Sequence, residues 1–220
     1  MHPVAMNNGK LFFDTYVTRL GGITIVDIGA QDVNGSLREV SPPAAKYIGV
    51  DFANARGVDI VLDDPYKLPF EDNSVDVIVS SSCFEHSEMF WLLYLEIIRV
   101  LKPEGLFYLN APSACGFHRY PVDCYRFYPD SGNALAKWGK RNGYNSIALE
   151  HYTTDGDYVC VFLKDAAHLD KHPNRILPLI NEFSCGSIHP NFDTFIFPRE
   201  LNGKNLTHYS PHLFMKGFCE

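Results

Sequence analysis

Asp27, Gly29 and Asp51 carry the first chemical signal in the sequence, within ITIVDIGAQDVNGSLREVSPPAAKYIGVD at residues 23–51. Gly29 ends a run of mostly β-branched residues, and Asp51 follows it by 22 positions, directly after a second apolar run, Tyr47-Ile48-Gly49-Val50. A carboxylate about 20 residues beyond a glycine turn, at the end of a second strand, is placed to accept hydrogen bonds from a ribose. A dinucleotide would also need bare backbone for its pyrophosphate, as in G-x-G-x-x-G. Here the loop is Gly29-Ala30-Gln31-Asp32-Val33-Asn34-Gly35, with Gln31 in place of the second glycine and with Asp27 and Asp32 where a phosphate would be repelled. S-adenosylmethionine keeps the ribose and adenine but carries a cationic ammonium and sulfonium, so it is the cofactor these residues favour. A ligand-free strand–turn–strand unit is the alternative.

Methyl transfer is an in-line displacement at a sulfonium carbon, which asks the protein to align an acceptor and, for a hydroxyl, to remove its proton. Residues 112–129, PSACGFHRYPVDCYRFYP, mix flat rings with hydrogen-bonding forks. Arg119, Tyr120, Tyr125 and Arg126 suit a sugar, and His118, oriented by Asp123, is the candidate general base. His86 is the second candidate. The same stretch also reads as a self-packing aromatic cap held by an Arg–Asp pair.

These residues need a scaffold that presents strand ends, and the chain is patterned for an α/β sheet. Apolar β-branched runs at Ile23–Ile28, Tyr47–Val50, Gly57–Leu62, Val75–Ser80 and Leu106–Leu109 predict buried parallel strands. Lys10–Leu20 and Glu88–Leu101 carry helical apolar faces, the second stopped by Pro103. Asp130 could cap a helix through Gly143, and Ser146–Tyr152 and Tyr158–Leu163 predict two closing strands around Asp155-Gly156. Residues 164–220 have little periodicity and read as a lid, a dimer arm or a wrap, not an independent domain.

With 220 residues, 46% hydrophobic and 20% charged, the chain fits one globular domain. A net charge of −7 without a basic run disfavours nucleic acid, and no apolar run is long enough for a membrane span. Six cysteines without a C-x-x-C pair, behind an N-terminus lacking a signal-peptide pattern, read as free thiols in the cytoplasm.

Over residues 22–163 the sequence resembles the class I S-adenosylmethionine-dependent methyltransferases, in the subgroup with L-P-F and R-V-L-K-P-x-G signatures. The matching pieces are IVDIGA, GVDF, DDPYKLPFEDNSVDVIVSS and EIIRVLKPEGLFYLNAPS. The resemblance implies a Rossmann-like seven-stranded sheet, mostly parallel with an antiparallel last strand and helices on both faces, over a domain at 1–163. It implies Asp27, Gly29 and Gln31 near the methionine part, Asp51 on the ribose, and Asp63 and Asp64 by the adenine. Some relatives bind a divalent metal through E-x-x-E-H. The first acid is Ser82 here, so no metal is expected, with Glu85 and His86 as the alternative ligands. HRYPVDCYRFYP also resembles methyltransferase-like proteins of polysaccharide assembly, which points to O-methylation of a glycan. A small quinone-like or lipid-like acceptor, or a non-catalytic binding module, are the rival readings. A homo-oligomer is compatible with all of them.

Overall fold

The computed structural model describes residues 2–17, 21–180 and 183–190. Their strands are β1 (Thr24–Ile28), β2 (Lys46–Asp51), β3 (Ile60–Val61), β4 (Val75–Ser81), β5 (Leu101–Pro112), β6 (Ile147–Thr154), β7 (Asp157–Leu163) and β8 (Cys185–Ile188), and their helices are α1 (Pro3–Phe12), α2 (Phe90–Val100) and α3 (Ser131–Arg141). All eight strands form one sheet in the order β3-β2-β1-β4-β5-β7-β6-β8. Strands β1 to β5 pair in parallel, and β7 runs against β5 on one side and β6 on the other.

The central strands are apolar on both faces because both faces are covered. Val26, Ile28, Ile78, Phe107 and Leu109 pack with Leu93, Tyr94, Ile97 and Ile98 of α2 and Leu135 of α3. Their sequence neighbours Ile25, Val77, Val79, Leu106 and Tyr108 point the other way, onto Phe12 of α1, onto Phe13, Tyr16 and Val17 just after it, and onto Ile176 and Leu177. Period-two alternation thus feeds two cores from one set of strands. No helix of the described residues is long and apolar enough to cross a membrane.

Several expected elements differ from those observed. The first helix starts at Pro3, whose fixed φ suits a first helical turn, and passes into a π turn at Phe13–Val17; the expected end at Leu20 lies outside the described residues. Between β1 and β2 the chain makes a short 3-10 turn, Leu37–Val40, between the Ser36 cap and Pro42-Pro43. β3 shrinks to two residues at the sheet edge. Asp130 makes no side-chain cap; Tyr158 Oη accepts the Gly132 N–H at 2.8 Å instead. The hairpin between β6 and β7 turns on Asp155 and Gly156, both at positive φ, which matches the twist of antiparallel strands.

The expected seven strands become eight, because β8 adds to β6 from the segment read as a lid, arm or wrap. Glu150 helps fix this addition: its buried carboxylate accepts the Ile176 and Leu177 N–H groups and the Tyr16 hydroxyl. The rest of that expectation, residues 191–220, lies outside the described residues.

Candidate functional site

The carboxyl ends of β1, β2 and β4 open into a cavity of about 870 Å³. Gly29 makes its floor. Its φ is +80°, and a Cβ there would sit 2.5 Å from Cys83 Cβ, so both the turn and the approach of the segment after β4 require glycine. Asp27, Gln31 and Asp51 line the same wall. Asp27 is 3% exposed and accepts the Tyr47 hydroxyl at 2.7 Å, and burial raises its pKa to about 6 despite that bond and the Arg38 charge. Asp51 accepts the Ala53 N–H at 3.1 Å.

Asp32 does not line the cavity. One of its oxygens accepts the Gly35 N–H and the other pairs with Arg56 at 2.9 Å, so it shapes the loop. Asp63 and Asp64, placed by the resemblance beside an adenine, are also absent from the wall. Both are exposed, and Asp64 accepts the Tyr66 N–H at 2.8 Å. Their neighbours Leu62, Pro65 and Tyr66 face the cavity instead, as does Phe52, which is 55% exposed. Phe52 and Tyr66 are flat surfaces that reasoning from charged residues passed over; the F of GVDF was the signal available for the first.

The loop at residues 112–129 divides into two faces. His118, Arg119, Tyr120, Pro121 and Val122 line the cavity. Tyr125 and Arg126, expected to bind the acceptor, do not; they line a second cavity with Phe90, Trp91 and Phe127. Tyr125 Oη donates to the Glu88 carbonyl and its ring meets Phe90 edge-on, while Arg126 makes a two-pronged pair with Asp123, Nη1 to Oδ1 at 2.6 Å and Nη2 to Oδ2 at 2.8 Å. That pair holds the Asp123 carboxyl well below the usual carboxylate range. Asp123 also accepts the His118 backbone N–H at 2.7 Å but stands 3.7 Å from Nδ1, too far for a hydrogen bond. The ring is oriented instead by the Gly116 carbonyl, 3.0 Å from Nδ1.

His86 reaches the same place from the turn after β4. Its ring lies 5.0 Å from that of His118 at nearly a right angle, and its Nδ1 bonds the Val122 carbonyl. Burial lowers its pKa. Glu85, 1% exposed, sits beneath with Oε1 3.7 Å from His86 Nε2 and with Oε2 lacking any hydrogen bond, and burial pushes its carboxyl up to about 8. Ser81 and Ser82 complete this side, with Ser82 strained at φ +54° where its N–H meets the Asn110 carbonyl. His2 and Pro3 of the N-terminal segment also reach the wall, and no motif in the sequence marked them.

The strand order, and ligand-sized space at the switch between β1 and β4, define a Rossmann-like methyltransferase fold. Residues 20–109, which span β1 to β4 and most of β5, match the model of a family described as a methyltransferase domain. An uncharacterized methyltransferase of Mycobacterium avium (strain 104) is 27% identical over 177 residues, 73% of this chain and 65% of that protein. A phthiotriol/phenolphthiotriol dimycocerosates methyltransferase of Mycobacterium tuberculosis (strain ATCC 25618 / H37Rv) is 31% identical over 105 residues, 40% of this chain and 37% of that protein. The chain thus spans less than two thirds of the length of either relative. Among solved structures, Burkholderia thailandensis 1,6-didemethyltoxoflavin-N1-methyltransferase, crystallised with 1,6-didemethyltoxoflavin and S-adenosylhomocysteine, shares the fold with a TM-score of 0.53 at 13% identity, over 73% of this chain and 78% of that one.

Proposed function

We propose that the protein transfers a methyl group from S-adenosylmethionine to a hydroxyl, on a sugar unit of a glycan. The observation that supports the cofactor is the wall itself: Gly29, Asp51 at the end of β2, Asp27 and Gln31 all line the cavity, where Asp51 would meet the ribose and Asp27 and Gln31 the methionine part. Phe52 and Tyr66 also line the cavity and offer flat surfaces to a base. A methyltransferase-domain match over these same strands, and a fold neighbour solved with S-adenosylhomocysteine, support the assignment.

The acceptor oxygen attacks the methyl carbon as the carbon–sulfur bond breaks, its electron pair passing to sulfur. S-adenosylhomocysteine leaves. The hydroxyl proton goes to an imidazole of the His86–His118 pair, whose Nδ1 atoms are both engaged by backbone carbonyls, so that Nε2 is the free acceptor. Arg119 and Tyr120 orient the sugar, and Asp123 serves through the loop it holds.

A second reading, a lipid alcohol, is favoured by the apolar rim. Val33, Phe52 and Tyr120, 52–55% exposed, border the cavity, and a relative from Mycobacterium tuberculosis is named a phthiotriol/phenolphthiotriol dimycocerosates methyltransferase. Calorimetric titration with S-adenosylmethionine tests the cofactor, and methyl transfer from labelled cofactor onto matched panels of glycans and lipid alcohols separates the acceptors. Absence of cofactor binding ends the proposal; binding without transfer to any hydroxyl leaves a non-catalytic module.

A further inference from the structure

We propose that Glu85, His86 and His118 form a binding site for a divalent first-row transition cation of the zinc kind, on the acceptor side of the cavity. Each offers a ligand atom, and these atoms all lie within 4.8 Å of one another. The site joins residues that the sequence keeps apart: Glu85 and His86 follow β4, and His118 arrives on the loop after β5, pinned there by its backbone N–H to Asp123.

The hydrogen bonds decide what the cluster can hold. A backbone carbonyl only accepts, so Nδ1 of His86 against Val122 and Nδ1 of His118 against Gly116 both carry their protons. Both Nε2 atoms are therefore lone pairs. Glu85 brings a carboxylate whose Oε2 is buried without a partner and whose Oε1 is 3.7 Å from His86 Nε2. At 3.7 Å the Glu85 carboxyl and His86 Nε2 make no hydrogen bond and Oε2 has no partner, whereas a cation among the three groups satisfies them all. Backbone carbonyls on the far nitrogens are also the usual outer partners that fix the tautomer of a metal-binding histidine.

Two imidazoles and one carboxylate select a borderline transition metal over magnesium or calcium, which take oxygen ligands. Three protein ligands leave a fourth position toward the cavity. His86 and His118 line that cavity while Glu85 lies behind them, so the open position faces the acceptor. If the acceptor is a hydroxyl, as proposed above, its oxygen would coordinate at the open position and give its proton to solvent more readily, with His86 and His118 both acting as ligands in place of a base.

The site can be tested without cofactor or acceptor, so a failure here and a failure of the methyl-transfer reading are told apart. Zinc chloride is titrated calorimetrically into the full chain carrying Cys115→Ser, since Cys115 Sγ lies 3.7 Å from His118 Nδ1. One equivalent binds, and His118→Ala and His86→Ala each weaken it by about tenfold or more. Glu85→Gln, checked for folding by its melting curve, weakens it too. Cobalt(II) gives visible bands of a four- or five-coordinate centre, and magnesium chloride gives no heat. Absence of saturable zinc binding, affinity unchanged in both histidine variants, or thiolate-to-cobalt charge transfer overturns the site.

Discussion

Asp27 sits in a state that the ligand-free protein resists. Its pKa of about 6, raised by burial, lies above the unfolded value of about 3.9. A raised folded pKa means the group's contribution is fully present below about pH 4 and is lost as pH climbs through about 6. Asp27→Asn keeps an acceptor for Tyr47 and removes the buried charge. It should therefore be more stable than wild type at neutral pH, by up to about 3 kcal/mol, with the gap closing as pH falls toward about 4. Denaturant titrations across that range check the sign; a constant gap would mean another cause. On the proposed cofactor reading the same variant should bind S-adenosylmethionine more weakly, because the charge that costs stability would be the one to meet the cofactor's cation. Gly29→Ala makes the complementary test. Left-handed φ and the Cys83 contact should together cost about 2–4 kcal/mol, part of which Cys83→Gly restores by removing the Cβ it strikes. The sequence made the need for Gly29 legible as a turn. Its contact with Cys83 was not, since nothing local couples residues in different strand ends. The same limit applies to Asp63, Asp64, Tyr125 and Arg126: residue type marked them as polar and able, but only tertiary geometry shows what each one faces.

At the scale of elements, the loop after β5 depends on the clasp between Asp123 and Arg126. The His118 amide donates to that carboxylate, so its hydrogen exchange reports the clasp directly. Arg126→Ala should speed exchange at His118 by about tenfold or more, while amides of β1 and β4 stay protected, as expected for local and not global opening. Unchanged exchange at His118 would make the pair ornamental. A different dependence governs β8. A Cβ at Gly186 would lie 2.8 Å from the His151 carbonyl and 2.9 Å from Leu177, so Gly186→Val should lift β8 and raise exchange along β6 alone. The long apolar runs of β1 and β4 were readable because both faces of each are buried and every residue reports it. β8 was not, because Cys185-Gly186-Ser187-Ile188 has one β-branched residue and owes its place to pairing with β6. The turn at Asp155-Gly156 was readable because its backbone demand is local.

For the molecule as a whole, charge and cavity together make a choice among nucleotides. The chain carries a net charge of −7, and Asp27 and Asp51 stand on the cavity wall, so a ligand that brings phosphates meets repulsion both at long range and at contact. A cationic methionine meets attraction. Ligand binding to the folded state alone should stabilise it by about 2.7 kcal/mol at a concentration a hundredfold above Kd, which for a chain of this size is a rise in Tm of roughly 5–10 °C. S-adenosylmethionine and S-adenosylhomocysteine should both produce such a shift, and NAD and ATP at equal concentration should not. Asp51→Ala should remove most of it, since losing a charged acceptor for the ribose costs on the order of 1.5–3 kcal/mol of binding. The shared product matters to the argument. S-adenosylhomocysteine lacks the sulfonium, so a smaller shift from it than from S-adenosylmethionine measures what the acids contribute through that charge, and an equal shift assigns the affinity to ribose, adenine and ammonium. A shift of equal size from NAD would mean that the Gly29 loop accepts phosphate after all, and the cofactor assignment would fall with it.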